Sequence, residues 1–259
     1  MYLRKIIFKV IAFIFFFSIV FFGIRYFNLL PQEKLNQNIN SIPWLFSAIS
    51  LVFSILSGFV IQSKWQTWDS LIDAIRGELS AFRQLNILAN HLPEARQQKM
   101  RYEICNYLDL LIHDPWENQD KGIRSEKIEK ALTQLEDFIF TESNKASGIG
   151  HIAFELLSKI MECREQRLQN SGRHMPVMLR AFIILATYTI IFTSLFIGVN
   201  TISYDYIFTV LIALLSYGIY LLIDDLDHPY RPGNWHVKND EYKAFLSEVS
   251  EKCGYVIAR

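Results

Sequence analysis

The side chains best placed to do chemistry in this sequence are charges set in or beside long apolar runs. Arg180 stands close to the start of a hydrophobic stretch that opens at Pro176. A guanidinium at that depth must reach back to the interface, find a partner or face water. Asp224, Asp225 and Asp227 crowd the end of the last hydrophobic stretch. Such an acidic cluster can draw cations to a pore mouth or simply cap a solvated helix end. Pairing of Arg180 with Asp224 or Asp225 would pin the third apolar stretch to the fourth. The six histidines are scattered singly, with no HExxH or comparable spacing, so no metal is predicted. Cys105, Cys163 and Cys253 are isolated and read as reduced thiols rather than a zinc knuckle or disulfide framework. No GxGxxG or Walker-type phosphate loop, GxSxG turn or calcium-loop acidic triplet is present. Neither an enzyme nor a cofactor is expected. A membrane enzyme would need polar groups converging inside the apolar stretches, where only Arg180 and the Asp224 cluster are available.

The elements that must carry these residues follow from composition and hydrophobic runs. Of 259 residues, 51% are hydrophobic, and 26 basic side chains balance 26 acidic ones. That zero balance lacks the basic field that nucleic acid requires, so nucleic acid is not an expected partner. A helix needs about 20 apolar residues to cross a bilayer, in which only an internally bonded backbone is tolerated. Four stretches qualify: Ile6 to Phe27, Ile42 to Gln62, Pro176 to Val199 and Tyr204 to Ile223. The first is too long, and too poor in small residues at its end, for a cleaved signal peptide. Basic residues gather at Arg4, Lys5 and Lys9, at Lys64 and Arg76, at Arg173 and Arg180, and at Arg231 and Lys238. The other two connections carry only Arg25 and Lys34. Because basic residues mark the cytoplasmic side, both termini and the segment from Ser63 to His174 are expected in the cytoplasm.

That segment reads as four helices. Trp68, Leu71, Ile72, Ile75, Leu79, Phe82 and Leu85 recur at three and four residues, so the second span should run unbroken into a cytoplasmic helix ending near Asn90. Pro93 starts a second helix that ends at His113 to Pro115, and a loop containing Asn118, Asp120 and Gly122 follows. Ser125 can cap a third, and Gly148 and Gly150 separate it from a fourth over about His151 to Gln169. The expected fold is therefore an all-α membrane protein with four transmembrane helices and a helical cytoplasmic domain between the second and third. Its divisions are residues 1–62 for the first two spans, 63–175 for the cytoplasmic domain, 176–225 for the last two spans and 226–259 for a cytoplasmic tail.

Three stretches carry a family resemblance. Ser54 to Leu85, with Gly58-Phe59 followed by Trp65 and Trp68, resembles the second transmembrane helix of bestrophins and its cytoplasmic extension. Met161 to Phe182 is similar to that family's basic helix and proline-started third span, and DDLDHPYRPGNW, Asp224 to Trp235, to the turn after its fourth span. The set looks most like a bacterial bestrophin-like group.

The resemblance implies a homo-oligomer, a pentamer, in a bacterial inner (plasma) membrane, passing inorganic ions through a central pore lined by the second helix. It places a hydrophobic neck at Leu51, Ile55 and Phe59, and a cytoplasmic constriction among Ile149, Ile152 and Phe154. Leu51, Ile55 and Phe59 also follow i, i+4 spacing and so share a helical face. The plain alternative for all six is lipid-facing or core surface. The acidic run of calcium-regulated animal members is replaced here by Asn234 to Val237, which argues against calcium gating. No ring of charge marks the second span, so the ion's sign is open. The competing function is a non-conducting, membrane-anchored scaffold of the same fold.

Overall fold

A computed structural model describes residues 2–27, 42–143, 147–196, 201–233 and 235–255. Lys34, Asn234 and the side chains of Ile149 and Cys253 lie outside what is described. Every regular element among the described residues is helical: α1 Tyr2–Tyr26, α2 Ile42–Ala89, α3 Glu94–Ile112, α4 Trp116–Asp120, α5 Glu126–Ser143, α6 Ser147–Ser171, α7 Val177–Ser194, α8 Ile202–Leu226 and α9 Asp240–Cys253. α1, α2, α7 and α8 are long and apolar enough to cross a bilayer. As the periodicity predicts, α2 is a single helix of 48 residues.

Proline sets the helix starts. Pro93, Pro115 and Pro176 immediately precede α3, α4 and α7 with φ of −55°, −54° and −53°. The ring holds φ in the range a helix entry needs, and the missing N–H would have had no partner there. At the far end, α9 stops at Gly254, whose φ of +66° closes the last turn with an N–H bond to the Ser250 carbonyl.

The chain divides into two compact units. The first comprises residues 1–65, 175–227 and 232–234. In it α8 packs against both α7 and α1. Phe17 and Phe21 of α1 meet Ala213 and Leu195, and the Phe13 ring stacks on Tyr217 with centroids 4.3 Å apart. A second apolar cluster joins Val60 of α2 to Met175, Ile183 and Ile223.

The second unit comprises residues 66–174, 228–231 and 235–259. Its core takes one stripe from each long helix, among them Leu79, Phe82 and Leu85 of α2, Ile104 and Leu108 of α3, Leu135 of α5 and Ile160 of α6. α3 packs against α5 and α9, and α6 against α5 and α4.

Three local expectations change. The stretch expected as a loop around Asn118 and Asp120 contains the short helix α4, held by the Gln119 side chain, which donates to the Leu111 and Asp114 carbonyls. Gly148 and Gly150 do not break a helix: α6 begins at Ser147, placing both in its first turns, where the helix's own orphan N–H groups limit the cost of glycine. The terminal stretch, expected only as a tail, supplies α9, whose Tyr242, Phe245, Leu246 and Val249 are buried in the second unit's core.

Candidate functional site: the open face of the second helix and its polar anchors

Within the first unit α2 has two unlike sides. Phe53, Ser57, Val60 and Lys64 are buried, whereas Leu51, Ile55 and Phe59 are 62%, 67% and 75% exposed. The buried set recurs at three and four residues, as one covered stripe of a helix must, and the open set runs up the other side. From Leu51 to Phe59 the rise is about 12 Å, at 1.5 Å per residue. Val52, next to Leu51, turns instead toward an apolar groove of about 350 Å³ shared with Phe182, Leu185 and Thr189 of α7. Ser57 lies on the covered side with its hydroxyl unpartnered, and Ser54 is exposed.

Charges cluster at the ends of these helices. Asp227, at the C-cap of α8, accepts the Met175 N–H at 2.7 Å and pairs with the Lys64 ammonium at 2.6 Å. The Arg180 guanidinium also donates to Asp227. Arg180 therefore meets Asp227, the third member of the acidic run in which sequence pointed to Asp224 or Asp225. Asp227 stands about one turn beyond Asp224 and also holds the backbone that enters α7. Asp225 lies against Gly233, where a Cβ would sit 1.9 Å from its Oδ1. Burial pushes the Asp227 carboxyl up, but Lys64, the Met175 N–H and Arg180 outweigh it and hold the group below its ordinary range. Arg25, read from sequence as a lone basic residue of a connection, pairs with buried Asp205 at 2.5 Å.

In the second unit, Ile152 and Phe154 are both about half exposed. Two residues apart on α6, they point about 200° from each other, so they do not share a face. Ile152 lines a groove with Ser80, Ala81 and Gln84 of α2.

A model of the bestrophin-like domain matches residues 11–240. The chain belongs to the bestrophin-like family. Its fold is similar to a tryptophan-to-alanine variant of a bacterial bestrophin homolog from Klebsiella pneumoniae, with TM-score 0.75 and 15% identity, covering 98% of each chain. The same homolog, solved by zinc anomalous phasing, aligns with TM-score 0.73 and 14% identity over 97% of this chain and 99% of that one. A crystal structure of a proline-to-alanine variant of a membrane protein aligns with TM-score 0.75 and 13% identity, over 97% of this chain and 99% of that one. None of the curated proteins matches the sequence.

Two of the stretches that carry the bestrophin resemblance meet in this structure. The Trp68 indole donates to the Trp235 carbonyl at 2.9 Å, and the two rings pack edge-on with centroids 5.6 Å apart. The turn between is closed by the Val237 N–H on the Pro229 carbonyl at 2.8 Å.

Sequence reasoning missed two polar centres of this bestrophin-like chain. Glu78 of α2 is fully buried and accepts Arg167 Nε at 2.8 Å, the Tyr107 hydroxyl at 2.5 Å and the Tyr242 hydroxyl at 2.8 Å. Burial first, and then the Glu78 carboxylate, drive the Tyr107 phenol far above its ordinary range. The second centre is Asp120 with His174 and His228, whose ligand atoms all lie within 4.8 Å of one another. No spacing signal could have found either, since their members are brought together only by the tertiary fold.

Proposed function

We propose that this protein is a homo-oligomeric ion channel of the bestrophin-like kind, a pentamer seated in a bacterial inner (plasma) membrane with both termini in the cytoplasm. The carrying observation is the uncovered apolar stripe Leu51, Ile55 and Phe59 on α2. A stripe that no other described residue covers is open to lipid or to further copies of the chain. Membership of the family favours copies. Arranged around an axis, such side chains form a neck that gates by excluding water, while ion preference follows from pore diameter and lining charge. The helices between residues 63 and 175 would then build a cytoplasmic vestibule, with Ile149, Ile152 and Phe154 as candidates for its constriction. Only one of Ile152 and Phe154 can face a given axis, and the groove beside Ile152 leaves Phe154 the freer of the two. Permeant inorganic ions and the bilayer are the partners of this reading, and no chemical reaction is part of it.

The test is flux through purified protein in liposomes under chloride and potassium gradients. Wild type is compared with Leu51→Ala, Ile55→Ala and Phe59→Ala. Flux that rises as the neck is trimmed supports the channel. Absence of flux from every variant, with the oligomer intact by size, would overturn it in favour of the non-conducting scaffold.

A further inference from the structure

We propose that Asp120, His174 and His228 form a binding site for one transition-metal dication of the zinc class. The proposal does not depend on conduction, because all three residues belong to the second unit and none lies on the α2 stripe.

The geometry is close to what such an ion needs. His228 Nδ1 lies 3.1 Å from Asp120 Oδ2, and His174 Nε2 lies 3.7 Å from the same oxygen. Two ligands each about 2.0–2.1 Å from a tetrahedral ion stand about 3.3 Å apart, between the two observed values. The two imidazoles are tilted by 44°, with centroids 4.9 Å apart, so each aims a nitrogen at the shared carboxylate rather than stacking on its neighbour.

The ligands come from three segments: the end of α4, the connection between α6 and α7, and the turn after α8. Two features position them in advance. The Tyr230 N–H points to Asp120 Oδ1 at 3.4 Å and so turns the other oxygen toward the histidines. Such outer contacts fix a ligating carboxylate. Beside Asp120, Gly122 has φ +63°, and a Cβ there would lie 2.4 Å from the Leu168 carbonyl oxygen. Reciprocally, a Cβ on Gly172 would lie 2.9 Å from the Lys121 carbonyl oxygen. The backbones that carry Asp120 and His174 are therefore in direct contact at two glycines, with no room for side chains between them.

Chemistry selects the ion. Two imidazoles and one carboxylate suit zinc, cobalt or nickel, whereas calcium and magnesium demand shells made almost wholly of oxygen. The histidine side chains are 28% and 20% exposed, which leaves water able to complete the coordination.

The test uses the full-length protein, purified in detergent and stripped with chelator, titrated calorimetrically with ZnCl2. One zinc per chain is expected, with affinity falling tenfold or more in Asp120→Asn, His174→Ala and His228→Ala, and unchanged in the control His91→Ala. Zinc should raise the Tm of the wild type but not of the His174→Ala/His228→Ala double variant. Stoichiometric binding that survives the double variant would place the ion on other histidines and overturn the assignment. So would the absence of binding, which would leave the cluster a hydrogen-bonded Asp–His pair. Should the variants fail to fold, CoCl2 on wild type decides alone. An intense tetrahedral d–d spectrum supports the site, and a weak octahedral one overturns it.

Discussion

In the first unit, charged side chains stand in pairs at the ends of apolar helices, Arg25 with Asp205 and Lys64 and Arg180 with Asp227, while large apolar side chains such as Phe59 point outward. In the second, a carboxylate sits in the middle of the core: Glu78 is enclosed by Arg167, Tyr107 and Tyr242, and the apolar side chains around it point inward. The first unit is arranged for a medium as apolar as its own surface, in which burying a leucine gains little and an unpaired charge costs much. The second is arranged for water, where one stripe per helix is withdrawn from solvent at about 1.5–3 kcal/mol per large side chain. If that contrast is right, the units should fail in different ways.

The largest expected effect is at the buried hub. Glu78→Ala leaves the Arg167 guanidinium buried without its carboxylate, a change that costs about 3–5 kcal/mol. The second unit should unfold in the purified variant, read as a Tm loss of many degrees together with protease cleavage within residues 66–174. A Glu78→Ala variant with wild-type Tm would show that water reaches the site and that the hub is not the unit's keystone.

Asp227→Asn should come next, at about 2–4 kcal/mol, because it strips a buried partner from Lys64. This group also sets an acid limit. Its folded pKa lies below the ordinary value of 3.8, so its contribution is fully present above that value. It is lost as pH falls past 3.8 and on through the lowered folded value. Acid unfolding followed by tryptophan fluorescence should show a wild-type limb in that window which Asp227→Asn flattens. An unchanged limb would assign acid sensitivity to other carboxylates.

How much of this was legible in the sequence depended on whether the signal was local. The four apolar helices, the continuous α2 and the helices started at Pro93 and Pro176 each rest on a run, a period or a single ring, and each appears where it was expected. The short α4 after Pro115 does not, because a proline that ends one helix gives no sign that it starts another. α9 is amphipathic, with Tyr242, Phe245, Leu246 and Val249 on one side, but it follows a proline- and glycine-rich turn that reads as the start of a tail. Glu78 occupies what looks like an ordinary polar slot of an amphipathic helix. Only the arrival of Arg167, 89 residues later in the chain, makes it a core residue. The contact of Arg180 with Asp227 went unread for a similar reason: periodicity ranks carboxylates by depth and says nothing about which one faces the entry to α7.

Packing inside the second unit can be probed with a smaller, reversible change. A Cβ at Gly77 of α2 would sit 2.7 Å from Cys163 Sγ of α6. Gly77→Ala should therefore destabilise by about 1–3 kcal/mol through overpacking. Removing the sulfur with Cys163→Ala should restore most of that loss, as residues in contact are not additive. A Gly77→Ala penalty untouched by Cys163→Ala would mean that α2 and α6 are held apart by something other than this contact.

The smallest effect on stability is expected where the effect on function is greatest. Leu51, Ile55 and Phe59 are uncovered by the other described residues, so trimming one removes few contacts among them, and exposed substitutions usually fall within about 0.5 kcal/mol. Ile55→Ala, in the first unit, should leave the Tm of the protein unmoved while raising flux in liposomes. The combination matters more than either half. Lipid-facing residues would change neither quantity, and a residue packed between neighbouring copies would lower oligomer stability without opening a path. Raised flux at constant Tm is the signature of a side chain whose only neighbour is the water it excludes.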